Sequence, residues 1–195
     1  MSVILGIQEK DCIILVSDNR AATLDGKTVS DSLNKIEVIN SHLAFSSAGN
    51  AAVGKALLID LNKLNTIASA HVEDFLRTVE SFYSRAKNAK AASILTQPFC
   101  FLVAGQGNDK ESKLVSGAFV NGRLQYGTVP MALYPPADVP IKFCNECFAK
   151  NYYQNHAKFA EKTICEISEK SKFVSPSGNK WIFNKLTNQG QLYSF

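Results

Sequence analysis

Apolar strand patterns and amphipathic helix patterns follow one another in blocks along this chain, and that order restricts the fold more than any other feature. Residues 3–8 and 12–18 read as strands joined by the charged turn Glu9-Lys10-Asp11. Residues 35–39 and 42–48 read as a second hairpin, with Asn40-Ser41 as its turn. A helix begins near Asn50 and carries Val53, Leu57, Leu61 and Leu64 on one face. A second runs from about His71 to Asn88, with Val72, Phe75, Leu76, Val79, Phe82 and Tyr83 at the i, i+3, i+4, i+7 spacing of a helix that buries one side. Strands return at about 98–105, 113–120 and 123–127, the last two joined by the strong hairpin turn Asn121-Gly122. A proline-rich loop holds Pro130, Pro135, Pro136 and Pro140. Two helices follow near 141–153 and 156–170, the latter with Phe159, Thr163, Ile164 and Ile167 on one side. The strand Lys180-Trp181-Ile182-Phe183 and a short apolar tail close the chain.

Strands, two helices, strands, two helices and strands predict an α+β fold, a four-layer αββα sandwich. Two antiparallel sheets pack face to face and each carries a helix pair outside. At 195 residues the chain is expected to form one domain, 1–195, with a substantial core. No linker, repeat or low-complexity segment divides it. No uninterrupted apolar stretch reaches the length of a membrane span. The N-terminus reads as a strand and lacks the basic and apolar regions of a secretory signal, so a cytoplasmic location is expected.

The formal charge of +4 is mild, and the lysines are spread without interleaved stacking aromatics, which argues against nucleic-acid binding. The five cysteines are an odd number, and Cys12 and Cys100 sit inside apolar strand patterns, as reduced buried thiols do. Cys144-Asn145-Glu146-Cys147 is a lone C-x-x-C inside a helical pattern, and His42, His71 and His156 are scattered singly. A zinc site wants a second pair at ligand spacing. The two cysteines therefore read as helix packing, and no metal or cofactor is expected. Gly105-Gln106-Gly107 is too little for a nucleotide-binding loop.

The chemistry is concentrated near the start. Ser2 stands directly behind Met1 and directly ahead of an apolar strand. Serine is small enough for Met1 to be removed, which would leave Ser2 with a free α-amine beside its own hydroxyl. An α-amine titrates at about 7.7–8.0, so a general base and a nucleophile would share one residue. Cys12-Ile13-Ile14-Leu15-Val16 is a buried-strand pattern that ends in Ser17-Asp18-Asn19-Arg20-Ala21, and charges at such an end are costly to bury unless paired. Lys35 is a lone cation opening another strand, and Phe45-Ser46-Ser47-Ala48-Gly49-Asn50 passes through a glycine into a helix.

These four elements together resemble the β-type subunits of proteasomes and the related HslV peptidase, which are N-terminal-nucleophile hydrolases. The resemblance covers residues 1 to about 60. It implies Ser2 as nucleophile, in place of the usual threonine, with Asp18 holding Lys35 and Lys35 lowering the nucleophile's pKa. Lys35 falls on the family's lysine if the loop Thr23-Leu24-Asp25-Gly26-Lys27-Thr28 holds one extra residue. Gly49 falls on the glycine whose N–H faces the oxyanion. Ala21, Leu33, Ser47 and Ala51 fall on side-chain pocket positions, implying a small or apolar preference. The resemblance further implies a peptide or unfolded-protein substrate and enclosure in stacked homo-oligomeric rings of six or seven subunits, or an open spiral. Related β-type subunits or an ATPase unfoldase are the partners it suggests. Leu58 and Ile59, off the buried stripe of the first helix, are its ring-contact candidates.

The second half departs from the family. The serine-bearing turn that supports the terminal amine corresponds to Met131-Ala132-Leu133-Tyr134-Pro135-Pro136, which has no such turn. A second supporting serine is matched by Ser175, but the family's aspartate three residues earlier falls on Lys172. Two other readings therefore stand beside a self-compartmentalising serine-type peptidase. One is a structural, non-catalytic β-type ring subunit. The other is a non-proteolytic amidohydrolase on the same fold.

Overall fold

The computed structural model describes residues 2–23, 25–64, 67–88 and 92–195. Met1, whose removal the sequence reading expects, and Leu24, in the loop Thr23–Thr28 where that reading allows one extra residue, lie outside the described residues. One five-stranded sheet has the order β10-β1-β2-β11-β12, built from Met131–Tyr134, Ile4–Gln8, Cys12–Asp18, Gly178–Asn184 and Gln189–Ser194. The other has the order β5-β6-β7-β8-β9, from Ile36–Asn40, Leu43–Gly49, Phe99–Gln106, Ser112–Val120 and Arg123–Thr128. Every neighbouring pair is antiparallel. A separate small hairpin pairs β3, Ala21–Ala22, with β4, Thr28–Ser30.

The two-residue period of the strands sorts their side chains into layers. Ile4, Ile13 and Leu15 point between the sheets, where they meet Leu102, Leu114, Trp181 and Phe183. The alternate residues Val3, Leu5, Ile14 and Val16 point outward onto α3, Ile141–Gln154, and α4, Phe159–Ser168, through Phe148, Phe159 and Ile164. Across the molecule, Phe45, Phe101 and Val103 face α1, Ala51–Asn62, and α2, Val72–Asn88. The result is the αββα sandwich expected from the order of elements. Trp181 fits between the sheets because position 190 is glycine. A Cβ there would stand 2.0 Å from the indole.

The helices end where local chemistry requires. The Asn50 side chain accepts from Ala52 N at 2.9 Å and caps α1. Glu73 and Asp74 open α2 while Arg85 and Lys87 close it, each complementing the helix dipole. Asn121 and Gly122, both at positive φ, form the β8–β9 turn as their sequence demands.

Three features differ from the sequence expectation. The proline-rich loop contains the edge strand β10, which pairs with β1 in the register Ile4 with Tyr134 and Ile7 with Met131. Pro130 and Pro135 bracket it, so neither removes a ladder donor. The tail is a paired strand, β12, and the loop after Arg20 carries the β3–β4 hairpin. Cys144 and Cys147 lie buried on α3, and burial pushes both thiols up to about 11.

Phe75 is fully buried on α2, with ring centroids 4.9 Å from Phe45 and 5.3 Å from Phe101. Phe75→Ala should therefore cost about 3–5 kcal/mol of stability. Urea unfolding followed through the fluorescence of Trp181, the one tryptophan, checks this.

Candidate active site

The site is organised around Asp18, the last residue of β2, whose side chain is fully buried. Its carboxylate accepts three hydrogen bonds. Lys35 Nζ donates to Oδ2 at 2.8 Å, Arg20 N to Oδ2 at 2.8 Å, and Val3 N to Oδ1 at 3.1 Å. One carboxylate thus ties together the start of β1, the end of β2 and the approach to β5. Arg20 does not use its guanidinium here. That group forks onto Asp31, with Nε and Nη2 at 2.6 and 3.0 Å from the two oxygens.

Burial dominates the electrostatics of the pair. It raises the Asp18 carboxyl above its usual range, with the Lys35 ammonium pulling it back. It also holds the Lys35 amine below the ordinary lysine value, with Asp18 opposing the shift. Each charge is held against a desolvation cost by the other.

Ser2 lies immediately before the anchored Val3 and is half-buried. It lines two cavities. The first, about 190 Å³, is shared by Ser2, Lys35 and Gly49, and its walls include all four sequence-derived pocket residues, Ala21, Leu33, Ser47 and Ala51. The second, about 250 Å³, is shared by Ser2, Ala48 and Gly49 and is walled by Phe99, Phe119, Tyr134 and Pro135. Among the described residues no hydrogen bond links Ser2 to Lys35, whose ammonium is turned to Asp18.

Gly49 sits where β6 turns into α1 with φ at +100°, a conformation that side chains rarely adopt. A Cβ there would also stand 2.1 Å from the Pro98 carbonyl oxygen. Glycine is thus required twice over at the point where both cavities meet.

Ser175 is buried but walls neither cavity. It accepts from Asn19 N at 3.0 Å and donates to the Ser177 carbonyl at 2.9 Å, so it fixes the backbone just after Asp18. Near Lys172, an aspartate arrives from elsewhere. Asp138 accepts from Ser171 Oγ at 2.7 Å and Lys172 N at 3.0 Å. No spacing rule connects positions so far apart.

Sequence reasoning missed Glu37, Phe45, Lys55 and the whole second cavity. Glu37 stands two residues beyond Lys35, on the same face of an extended segment, and that period was the available signal. Leu58 also walls the first cavity and packs against the α1–α2 layer, while Ile59 beside it is 56% exposed. Cys100 walls the second cavity near Ser2. Burial pushes its thiol up to about 12, so it stays protonated and poorly nucleophilic near neutral pH.

Residues 2–95 match the model of the Proteasome subunit family. Among solved structures, the crystal structure of eukaryotic HslV from Trypanosoma brucei superposes with a TM-score of 0.65 over 93% of this chain and 99% of its own, at 14% identity. No curated protein matches the chain in sequence.

Removing Lys35 would leave the Asp18 carboxylate buried with backbone donors alone. Lys35→Ala should cost about 3–5 kcal/mol of stability, the range for breaking a buried pair. Combining Lys35→Met with Asp18→Asn should cost less than the sum of the single changes, a coupling that chemical denaturation of the four proteins measures.

Proposed function

We propose that this chain, which matches the Proteasome subunit family model over residues 2–95 and shares the fold of HslV, is a peptidase of the proteasome β-type whose nucleophile is Ser2, exposed by removal of Met1. The observation that carries this reading is the shared cavity of Ser2, Lys35 and Gly49, with the Asp18–Lys35 pair bonded to the residue next to Ser2.

In this mechanism Ser2 Oγ attacks a peptide carbonyl carbon. The Ser2 α-amine takes the hydroxyl proton, directly or through a water, and later gives it to the departing amine as the C–N bond breaks. Water then hydrolyses the ester to free Ser2. The Lys35 charge favours the alkoxide side of the first step, and the N–H at Gly49 faces the developing oxyanion. An open cleft of this kind needs confinement, and self-assembly into a ring is part of the proposal. Exposed Ile59 on α1 supplies an apolar contact for it.

A second reading, a structural ring subunit without chemistry, is favoured by one observation. The stretch that should supply the amine-supporting serine turn is the edge strand β10. Intact mass of protein from its natural host separates the two. The peptidase reading expects Met1 to be absent and Ser2→Ala to abolish peptide hydrolysis with the fold intact. Retained Met1 would leave the structural reading.

The pH profile carries a further expectation. The base is active when the Ser2 amine is neutral, so kcat/KM should rise with pH through about 7.7–8.0. Lys35 acts while protonated, so activity should fall again as pH passes its lowered value, below that of an ordinary lysine. A bell-shaped profile is expected, and kcat/KM measured across pH should lose its alkaline limb in Lys35→Arg.

A further inference from the structure

We infer that Glu37 makes the first cavity a receptor for a basic side chain, so that the chain cleaves after arginine or lysine. This rests on the peptidase reading above. Four charged residues wall the cavity: Arg20, Lys35, Glu37 and Lys55. Arg20 is forked onto Asp31, and Lys35 is spent on Asp18. Glu37 is different. It is half-buried on β5, and among the described residues its carboxylate has no hydrogen bond or ion pair. Lys55, exposed on α1, makes no ion pair with it.

The surroundings suit a long cationic side chain. Glu37 pairs in register with Phe45 on β6, and both face the α1 side of the sheet. Phe45 and Leu58 offer apolar wall to the aliphatic stem of lysine or arginine, while the carboxylate meets the charged head. An apolar side chain entering the cavity would dehydrate Glu37 without replacing its water, and an acidic one would be repelled. Burial already pushes the Glu37 carboxyl above its ordinary value, which a bound cation would reverse. Glu37 therefore outweighs the small or apolar preference implied by Ala21, Leu33, Ser47 and Ala51 alone.

The experiment compares kcat/KM for fluorogenic peptides that differ only in the residue before the scissile bond: arginine, leucine or glutamate. The processed protein should prefer arginine over leucine by at least about tenfold, the scale of one charge-assisted contact. Glu37→Gln should bring the ratio close to one, and Glu37→Lys should favour glutamate. An arginine-to-leucine ratio unchanged in Glu37→Gln would overturn the inference, as would a native preference for leucine or glutamate. If no peptide is cleaved, the catalytic reading fails and binding still decides this one. Calorimetric titration of Ser2→Ala with a blocked arginine peptide and its leucine counterpart should show tighter arginine binding that Glu37→Gln removes. Equal binding of the two peptides would overturn it.

Discussion

The buried carboxylate of Asp18 is the constraint on which the rest of the site depends. An ion with no exposure to water must have its lone pairs met from within, and here three donors from three segments do so. Satisfying it fixes the distance between the start of β1, the end of β2 and Lys35. It also brings a lysine into a place where a free ammonium would not stay. The pair adds little net stability beyond what an apolar replacement would give, since desolvation opposes the attraction. Its contribution is positional: the backbone N–H of Val3 is bonded, so the residue before it is held at the mouth of two cavities.

The sandwich makes that position possible. Both faces of β1 and β2 are covered, by α3 and α4 on one side and by the second sheet on the other. Strands so enclosed cannot shift register by one residue without exchanging their two apolar sets. The end of β2 is thereby rigid. The end of β6 is held by Gly49 against Pro98, and α1 leaves from there with its own cap at Asn50. The candidate cleft is the gap between two strand ends, each determined by the core behind it.

Much of this was legible in the sequence because it rests on local pattern. The period of Val72, Phe75, Val79 and Phe82 marks α2, and Asn121-Gly122 marks the β8–β9 hairpin, without reference to anything distant. Asp18, Lys35 and Gly49 were legible by resemblance, and their convergence on one pocket wall or ion pair follows from the ends of β2, β5 and β6 lying together. The strand β10 was hidden because four prolines in eleven residues outweigh the short run Met131–Tyr134, and only pairing with β1 reveals it. Asp138 beside Lys172, and the second cavity, depend on contacts between segments with no shared period. Glu37 is intermediate: its face was readable, but its lack of a partner was not.

The missing supports of the second half can be weighed from where the polar groups go. Tyr134, beside Ser2 in the second cavity, has its hydroxyl bonded to Ser116 Oγ at 2.7 Å and to the Gly117 carbonyl at 3.3 Å. Ser175 is committed to Asn19 and Ser177, and Asp138 to Ser171 and Lys172. None of these groups is turned toward Ser2 to orient a terminal amine. In the proposed mechanism the amine must then be placed by the backbone of Val3, which Asp18 anchors, and by water, with Lys35 supplying the electrostatics. A site of that kind keeps the nucleophile's charge environment but relaxes the placement of its base. Misplacing a base costs rate steeply, so the expected consequence is a lower kcat at unchanged pocket selectivity. In the proposed mechanism, the geometry of the amine, more than the identity of the nucleophile, then limits the rate.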